Sequence, residues 1–237
     1  MSITPSASRI LCYVTDRAGL RTRLLHERRW NSGERGAYSK SPFAALLGNI
    51  GDAAAAGVDW IQVREKDLAA GDCASLTQSA LQVCSEAAAK VLVNDRVDVA
   101  MAEHAAGVHL GENSLPVREV RRLVSSSAGA ARGGFLAGVS CHSLASAQAA
   151  ADGGADYVLF GPVFSTPSKA AFGSAQGLRR LAEVCRAVHI PVLAIGGIRV
   201  ENAGYCADSG AAGFAAIRLF QEASELAEVI AQLRALR

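Results

Sequence analysis

Two hydrophobic periods alternate along the chain. Short apolar runs recur as "RILCYVTD", "DWIQVRE", "KVLVND", "GVHL", "FLAGVSC", "YVLFGPVF", "PVLAIGG" and "GFAAIRLF". Runs of this length, rich in Val, Ile and Leu, read as strands covered on both faces. Between them lie longer Ala-rich segments with apolar residues at helical spacing: "FAALLGNIGDAAAAG", "DCASLTQSALQVCSEAAA", "VDVAMAEHA", "PVREVRRLVSS", "SLASAQAAADGG", "AQGLRRLAEVCRAV", "VENAGYCADSG" and "ASELAEVIAQLRAL". Several of these stop at Gly, as helices do. Strand alternating with helix implies parallel pairing through right-handed crossovers. Eight such units in 237 residues predict an α/β fold, a single (β/α)8 TIM-barrel domain spanning residues 1–237, rather than an open doubly wound sheet. No strand run is followed by a GxGxxG turn in the dinucleotide-binding context.

One segment interrupts the rhythm. Residues 17–42, about "RAGLRTRLLHERRWNSGERGAYSKSP", lie between the first strand and the first helix and are rich in Arg and turn residues. As an extended first βα loop, this insert belongs to the active-site rim of a barrel. It reads either as a basic lid over a phosphorylated ligand or as a solvated insertion.

Composition narrows the function classes. Half the residues are hydrophobic, 19% are charged and the net charge is +2, so a large core is available. The balanced charge and the 5% aromatic content give no footprint of nucleic-acid binding. Cys12, Cys73, Cys84, Cys141, Cys185 and Cys206 are scattered without a CxxC or Cys/His cluster, which reads as free thiols in a reducing compartment. Neither a signal-peptide run nor a membrane-length apolar stretch is present. The expectation is a soluble cytoplasmic protein acting on small molecules; pairing into a homodimer is left open.

In a barrel the chemistry sits at the C-terminal ends of the strands. Strand 2 there carries Gln62, Arg64 and Lys66, alternate residues that share one face. An amide and two cations side by side call for an anion or water opposite them. Strand 3 ends in Asn94 and Asp95, strand 4 in His109 and "GENS", and strand 5 in Ser140 and His142. Strand 6 leads into "GPVFSTPSK", strand 7 into Gly196 and Gly197, and strand 8 into Arg218. Cations and hydroxyls outnumber acids, as suits phosphate. Arg64, Lys66 and Lys169 are placed to approach a diphosphate from two sides. Gly196 and Gly197, with the turn after strand 8, are similar to the phosphate site of this barrel class. Asp95 is the single obvious carboxylate for Mg²⁺.

"QVREKD", "VNDRVDVAMAEHAAGVHLGENSLP", "AGVSCHSLASAQAAADGGADYVLFGPVFSTPSK" and "PVLAIGGIRVENA" resemble the thiamine phosphate synthase/TenI (thiazole tautomerase) superfamily. The likeness runs in order from about Asp59 to the end. It implies a transferase that joins hydroxymethylpyrimidine diphosphate to thiazole phosphate with release of pyrophosphate. On the resemblance, Gln62, Arg64, Lys66 and Asn94 bind the pyrimidine diphosphate and Asp95 holds Mg²⁺. Ser140 and Lys169 contact the diphosphate, Thr166 and Ser168 the thiazole phosphate, and Gly197 its phosphate group.

Two positions depart from the synthase pattern. "GENSLP" places Ser114 where synthases commonly have a second Mg²⁺-binding Asp, and Arg218 stands where they commonly have Ser. The tautomerase branch lacks the metal-binding acids and uses a His after strand 5, here His142, as acid and base. Three readings therefore stand open: synthase, tautomerase through His142, and a non-catalytic regulatory homologue.

Overall fold

The structure is a computed structural model and describes residues 8–20, 43–126, 134–166 and 175–236. Eight strands, β1 (Ile10–Val14), β2 (Trp60–Val63), β3 (Lys90–Asn94), β4 (Gly107–Leu110), β5 (Leu136–Cys141), β6 (Tyr157–Phe160), β7 (Val192–Ile195) and β8 (Gly213–Ala216), run parallel in chain order. β8 pairs back onto β1 and closes the barrel. Helices α1 (Ala44–Ala55), α2 (Ala70–Val83), α3 (Val97–Ala102), α4 (Val117–Ser126), α5 (Leu144–Asp152), α6 (Gly177–Ala187) and α7 (Val200–Asp208) follow β1 to β7 in turn. After β8 come a short helix, α8 (Arg218–Gln221), and α9 (Leu226–Ala235).

Successive side chains of each strand point to opposite faces. Cys12, Val14, Leu92, Tyr157, Leu159, Leu193 and Ala215 pack together inside the barrel. Their neighbours in sequence, among them Leu11, Tyr13, Ile61, Val93 and Phe214, belong to the outer layer shared with the helices. Leu46, Leu47 and Ile50 of α1 are almost wholly buried there. Each such side chain contributes roughly 1.5–3 kcal/mol of transfer free energy. Apart from the polar residues toward the C-terminal ends of β2 to β5, both faces of the strands are thus apolar, which is why periodicity of two is faint and the runs read as continuous.

Three strand runs end earlier than the hydrophobic pattern suggests. "GFAAIRLF" becomes β8 only to Ala216, and the chain then winds into α8. Gln221 draws that turn inward: its amide oxygen accepts from the Tyr13 hydroxyl (2.8 Å) and the Asp16 amide (3.2 Å), and its Nε2 donates to the Asp16 carbonyl (2.9 Å). "YVLFGPVF" stops at Phe160, before the cis Gly161–Pro162 peptide. β2 stops at Val63, so Arg64 and Lys66 leave the strand and stand on the loop above it. Of the first-loop insert, only Arg17–Leu20 lies within the described residues. Among the described residues no helix is long and apolar enough to cross a membrane, and the six cysteines are free thiols.

Candidate active site

The interior-facing positions at the C-terminal ends of β2 to β5 bring Gln62, Asn94, His109 and Ser140 to one mouth. Register does this directly: Asn94 pairs with His109 between β3 and β4. Gln62 and Asn94 close the gap between β2 and β3, Gln62 Nε2 donating to Asn94 Oδ1 at 2.9 Å.

Asp95 follows β3 with φ of +61°, the left-handed region that non-glycine residues adopt at a cost of about 1–2 kcal/mol. The conformation is held by the Asp95 amide donating to the His109 carbonyl (2.8 Å) and the Arg96 amide to the Asn94 carbonyl (2.8 Å). Its carboxylate accepts from the Ser114 hydroxyl, from the Gly111 amide (3.1 Å) and from Asn94 Nδ2 (2.8 Å). Burial works against ionisation, but these three donors and the charge of Lys66 outweigh it and hold the carboxyl below its usual range.

An ionised carboxylate only accepts hydrogen bonds, and this orders its neighbours. Asn94 must turn its amino group to Asp95 and therefore its oxygen to Gln62. Gln62 must answer with its own amino group. The Gln62 oxygen is left over, buried, with no hydrogen-bond partner among the described residues. An orphaned buried acceptor costs about 1–3 kcal/mol unless a donor reaches it. The sequence had suggested that a hydroxyl at Ser114 weakens a second metal position. In the structure Ser114 does not act as an anionic ligand at all: it accepts from the Gly111 amide (2.7 Å) and donates to Asp95.

Arg64 is aimed by a clamp that the hydrophobic pattern does not reveal. Buried Thr15, at the end of β1, accepts from the Arg64 amide (2.9 Å) and donates to Glu65 Oε1 (2.6 Å). Both Glu65 oxygens also accept from the Arg17 amide at 3.1 Å. These bonds tie Glu65 to the barrel wall, while the charge of Arg64 acts on His109 at the mouth. Burial raises the Glu65 carboxyl above its usual range despite its bonds to Thr15 and Arg17. Arg17 also pairs with Asp67.

On the other side of the mouth, the His109 ring is buried. One nitrogen meets the Tyr157 hydroxyl (Nδ1, 3.1 Å) and the other the Ser140 hydroxyl (Nε2, 2.9 Å). Burial pulls its pKa down to about 3, so the imidazole is neutral. His142 stands beyond β5, its Nδ1 donating to the Gly161 carbonyl. Ser143 follows it and caps α5 by accepting from the Ser146 amide at 3.1 Å. Cys141, between Ser140 and His142, is packed: it is fully buried and burial pushes its thiol up to about 11.

The loops after β6, β7 and β8 form the third side. Gly196 and Gly197 have φ of +93° and +67°. A Cβ on Gly196 would sit 2.5 Å from Pro162 Cβ, and one on Gly197 2.8 Å from Phe164 Cβ, so only glycine lets these loops meet. Arg218, the first residue of α8, donates to Thr166 Oγ1 at 3.2 Å, joining the loops after β6 and β8. Ser168 and Lys169 lie outside the described residues. Among the described residues no group of three His, Cys, Asp or Glu side chains is gathered for a metal. His109 had been noted only as the end of strand 4; Thr15, Glu65 and Tyr157 had not been singled out.

The family model described as thiamine monophosphate synthase matches residues 38–220. A thiamine-phosphate synthase of Roseiflexus sp. (strain RS-1) is 39% identical over 213 residues, which cover 90% of this chain and 78% of that protein. One of Methanoculleus marisnigri is 46% identical over 165 residues, covering 70% of this chain and 75% of that one. Among solved structures, a thiamine phosphate pyrophosphorylase from Pyrococcus furiosus matches with a TM-score of 0.73 at 27% identity, covering 96% of this chain and 94% of the other.

Proposed function

We infer the reaction from one premise: the chain belongs to the thiamine monophosphate synthase family. It is a thiamine-phosphate synthase, a transferase that couples hydroxymethylpyrimidine diphosphate to thiazole phosphate and releases pyrophosphate. The observation that carries this reading is the unpartnered Gln62 oxygen beside Arg64 and Lys66. A ligand that satisfies this corner needs an N–H donor at one end and an anion at the other, which an aminopyrimidine bearing a diphosphate has.

The residues divide the work. Gln62 and Asn94 take the pyrimidine edge, while Arg64, Lys66 and Ser140 meet the diphosphate. Charge builds on that group as its bond to the pyrimidine methylene ionises, and preorganised donors stabilise it most there. Thr166, Arg218 and the Gly196–Gly197 turn hold the thiazole phosphate, so that the thiazole nitrogen is kept in line to capture the methylene cation. Ser168 and Lys169, from the same loop as Thr166, are expected to complete the two anion sites.

Magnesium is the cofactor this reading asks for, and the donor set fits it in a particular way. A carboxylate offers about four lone-pair sites. Ser114, Gly111 and Asn94 occupy three on Asp95, leaving one, on Oδ2. One anionic oxygen suits a hard cation that takes its other ligands from water and substrate phosphates. When bound, Mg²⁺ would neutralise charge on the diphosphate. The buried free thiols and the small-molecule chemistry favour the cytoplasm.

The test is a single assay with purified protein, Mg²⁺ and both substrates, following thiamine phosphate and pyrophosphate together. Both products are expected, and both are lost with a chelator. No product beside an active control enzyme refutes the synthase. Thiazole isomerisation without metal would then assign the site to the tautomerase, with His142 as its base.

A further inference from the structure

The chain Tyr157–His109–Ser140 has a direction, and the direction follows from burial. The Tyr157 ring is fully buried, its centroid 4.6 Å from that of Trp60 and 5.6 Å from that of His109. It fits because position 138 on the neighbouring strand is glycine: a Cβ there would lie 2.0 Å from Tyr157 Cζ and 2.4 Å from its hydroxyl oxygen. His109 is the hydrogen-bond partner of the Tyr157 hydroxyl among the described residues.

If His109 donated from Nδ1 to that hydroxyl, the phenolic proton would be buried with nothing to accept it, at a cost of about 1–3 kcal/mol. The phenol must therefore donate to Nδ1. A neutral imidazole carries one proton, so it sits on Nε2 and is donated to Ser140 Oγ. With its oxygen already accepting, Ser140 keeps its own proton for the mouth.

We propose that Tyr157 and His109 are positioning residues: together they fix the imidazole as the Nε2–H tautomer and make the Ser140 hydroxyl a one-way donor to an anionic oxygen. This rests on the reading that a diphosphate occupies the mouth. No proton is transferred and no group changes charge. Polarisation along the chain strengthens the last bond.

The experiment uses the full chain, with Tyr157→Phe, Ser140→Ala and the double variant. Tyr157→Phe keeps the ring against Trp60 and removes only the hydroxyl. The tautomer is read from the imidazole ¹⁵N shifts, and affinity from titration with inorganic pyrophosphate and Mg²⁺. Wild type is expected to show Nε2–H alone, and Tyr157→Phe a mixture of tautomers. Each single variant should weaken pyrophosphate about 3- to 10-fold, and the double variant no more than Ser140→Ala, because the relay acts only through that serine.

A wild-type Nδ1–H tautomer, or losses that multiply in the double variant, would overturn the relay. So would a wild-type protein that does not bind pyrophosphate. Tautomer and affinity are read without turnover, so an intact relay in a protein that makes no thiamine phosphate refutes the reaction alone. Turnover with multiplicative losses refutes the relay alone.

Discussion

Replacing Gln62 by leucine should separate stability from binding, because the same atom affects both in opposite senses. In the folded chain the Gln62 oxygen is buried without a donor, while its Nε2 serves Asn94. Gln62→Leu removes the orphan, a gain of about 1–3 kcal/mol, and is close to it in volume. It also removes the donor to Asn94 Oδ1, but Asn94 is half-buried and water can replace that bond at a smaller cost. The gain outweighs the loss, so the variant should be at least as stable as wild type, by about 1 kcal/mol. For a chain of this size that is a shift of about 2–4 °C in Tm. Binding has no such compensation: the pyrimidine amino group would be buried without its acceptor, costing about 1–3 kcal/mol, or roughly 5- to 150-fold in KM for the pyrimidine diphosphate. The assay pairs thermal and urea unfolding with KM measured at saturating thiazole phosphate and Mg²⁺. A fall of more than about 8 °C with KM unchanged would show that Gln62 is a structural amide and that the orphan has no ligand.

Further expectations concern the carboxylates and the glycine turn. Asp95→Ala should abolish Mg²⁺-dependent turnover and leave the circular dichroism spectrum intact; an unaltered rate removes the metal role. Ser114→Asp should lower the Mg²⁺ concentration needed for half-maximal rate, and an unmoved Mg²⁺ titration would mean the ion is held through Asp95 and substrate alone. Gly196→Ala forces an alanine to φ of +93° and into Pro162, which adds about 1–2 kcal/mol of backbone cost to about 1–3 of overpacking; urea unfolding should show the sum, and a loss below about 1 kcal/mol would mean that the turn relaxes freely. Glu65 has a folded pKa above its unfolded value, so the folded state binds the proton more tightly. Its stabilising contribution is present below the unfolded pKa and is lost as pH rises through the folded one. Glu65→Gln, compared with wild type by urea unfolding at pH 4 and pH 7, should therefore gain relative stability as pH rises; a difference that stays flat refutes the shift.

Strands, helices and their order were legible because a barrel covers both faces of every strand, and continuous apolar runs survive any local detail. The mouth was legible as an inventory: Gln62, Arg64, Asn94, Asp95, Ser140 and Arg218 all lie at strand ends, and the strand count alone brings those ends together. Two things were not. The ends of β2 and β8 are set by contacts remote in sequence, Thr15 with Glu65 and Tyr13 with Gln221, which no window along the chain contains. The second is polarity. A sequence lists amides and hydroxyls, but whether each gives or takes a proton depends on what its neighbours have already taken.

That polarity sorts the mouth into two halves. From Asp95 through Asn94, an acceptor-only carboxylate imposes its order on β3 and β2 and leaves an oxygen, that of Gln62, waiting for a donor. From Tyr157 through His109, a buried phenol imposes the opposite order on β4 and β5 and leaves a proton, that of Ser140, waiting for an acceptor. The halves touch where Asn94 and His109 share a register. A ligand that fits must therefore offer a donor to Gln62 and an anion to Ser140, the anion that Arg64 and Lys66 also meet, within the width of four adjacent strands. Inorganic pyrophosphate meets only the second demand and an uncharged aminopyrimidine only the first. Each should bind more weakly than the joined diphosphate, and Gln62→Leu should erase the difference between the joined molecule and pyrophosphate while Ser140→Ala leaves most of it.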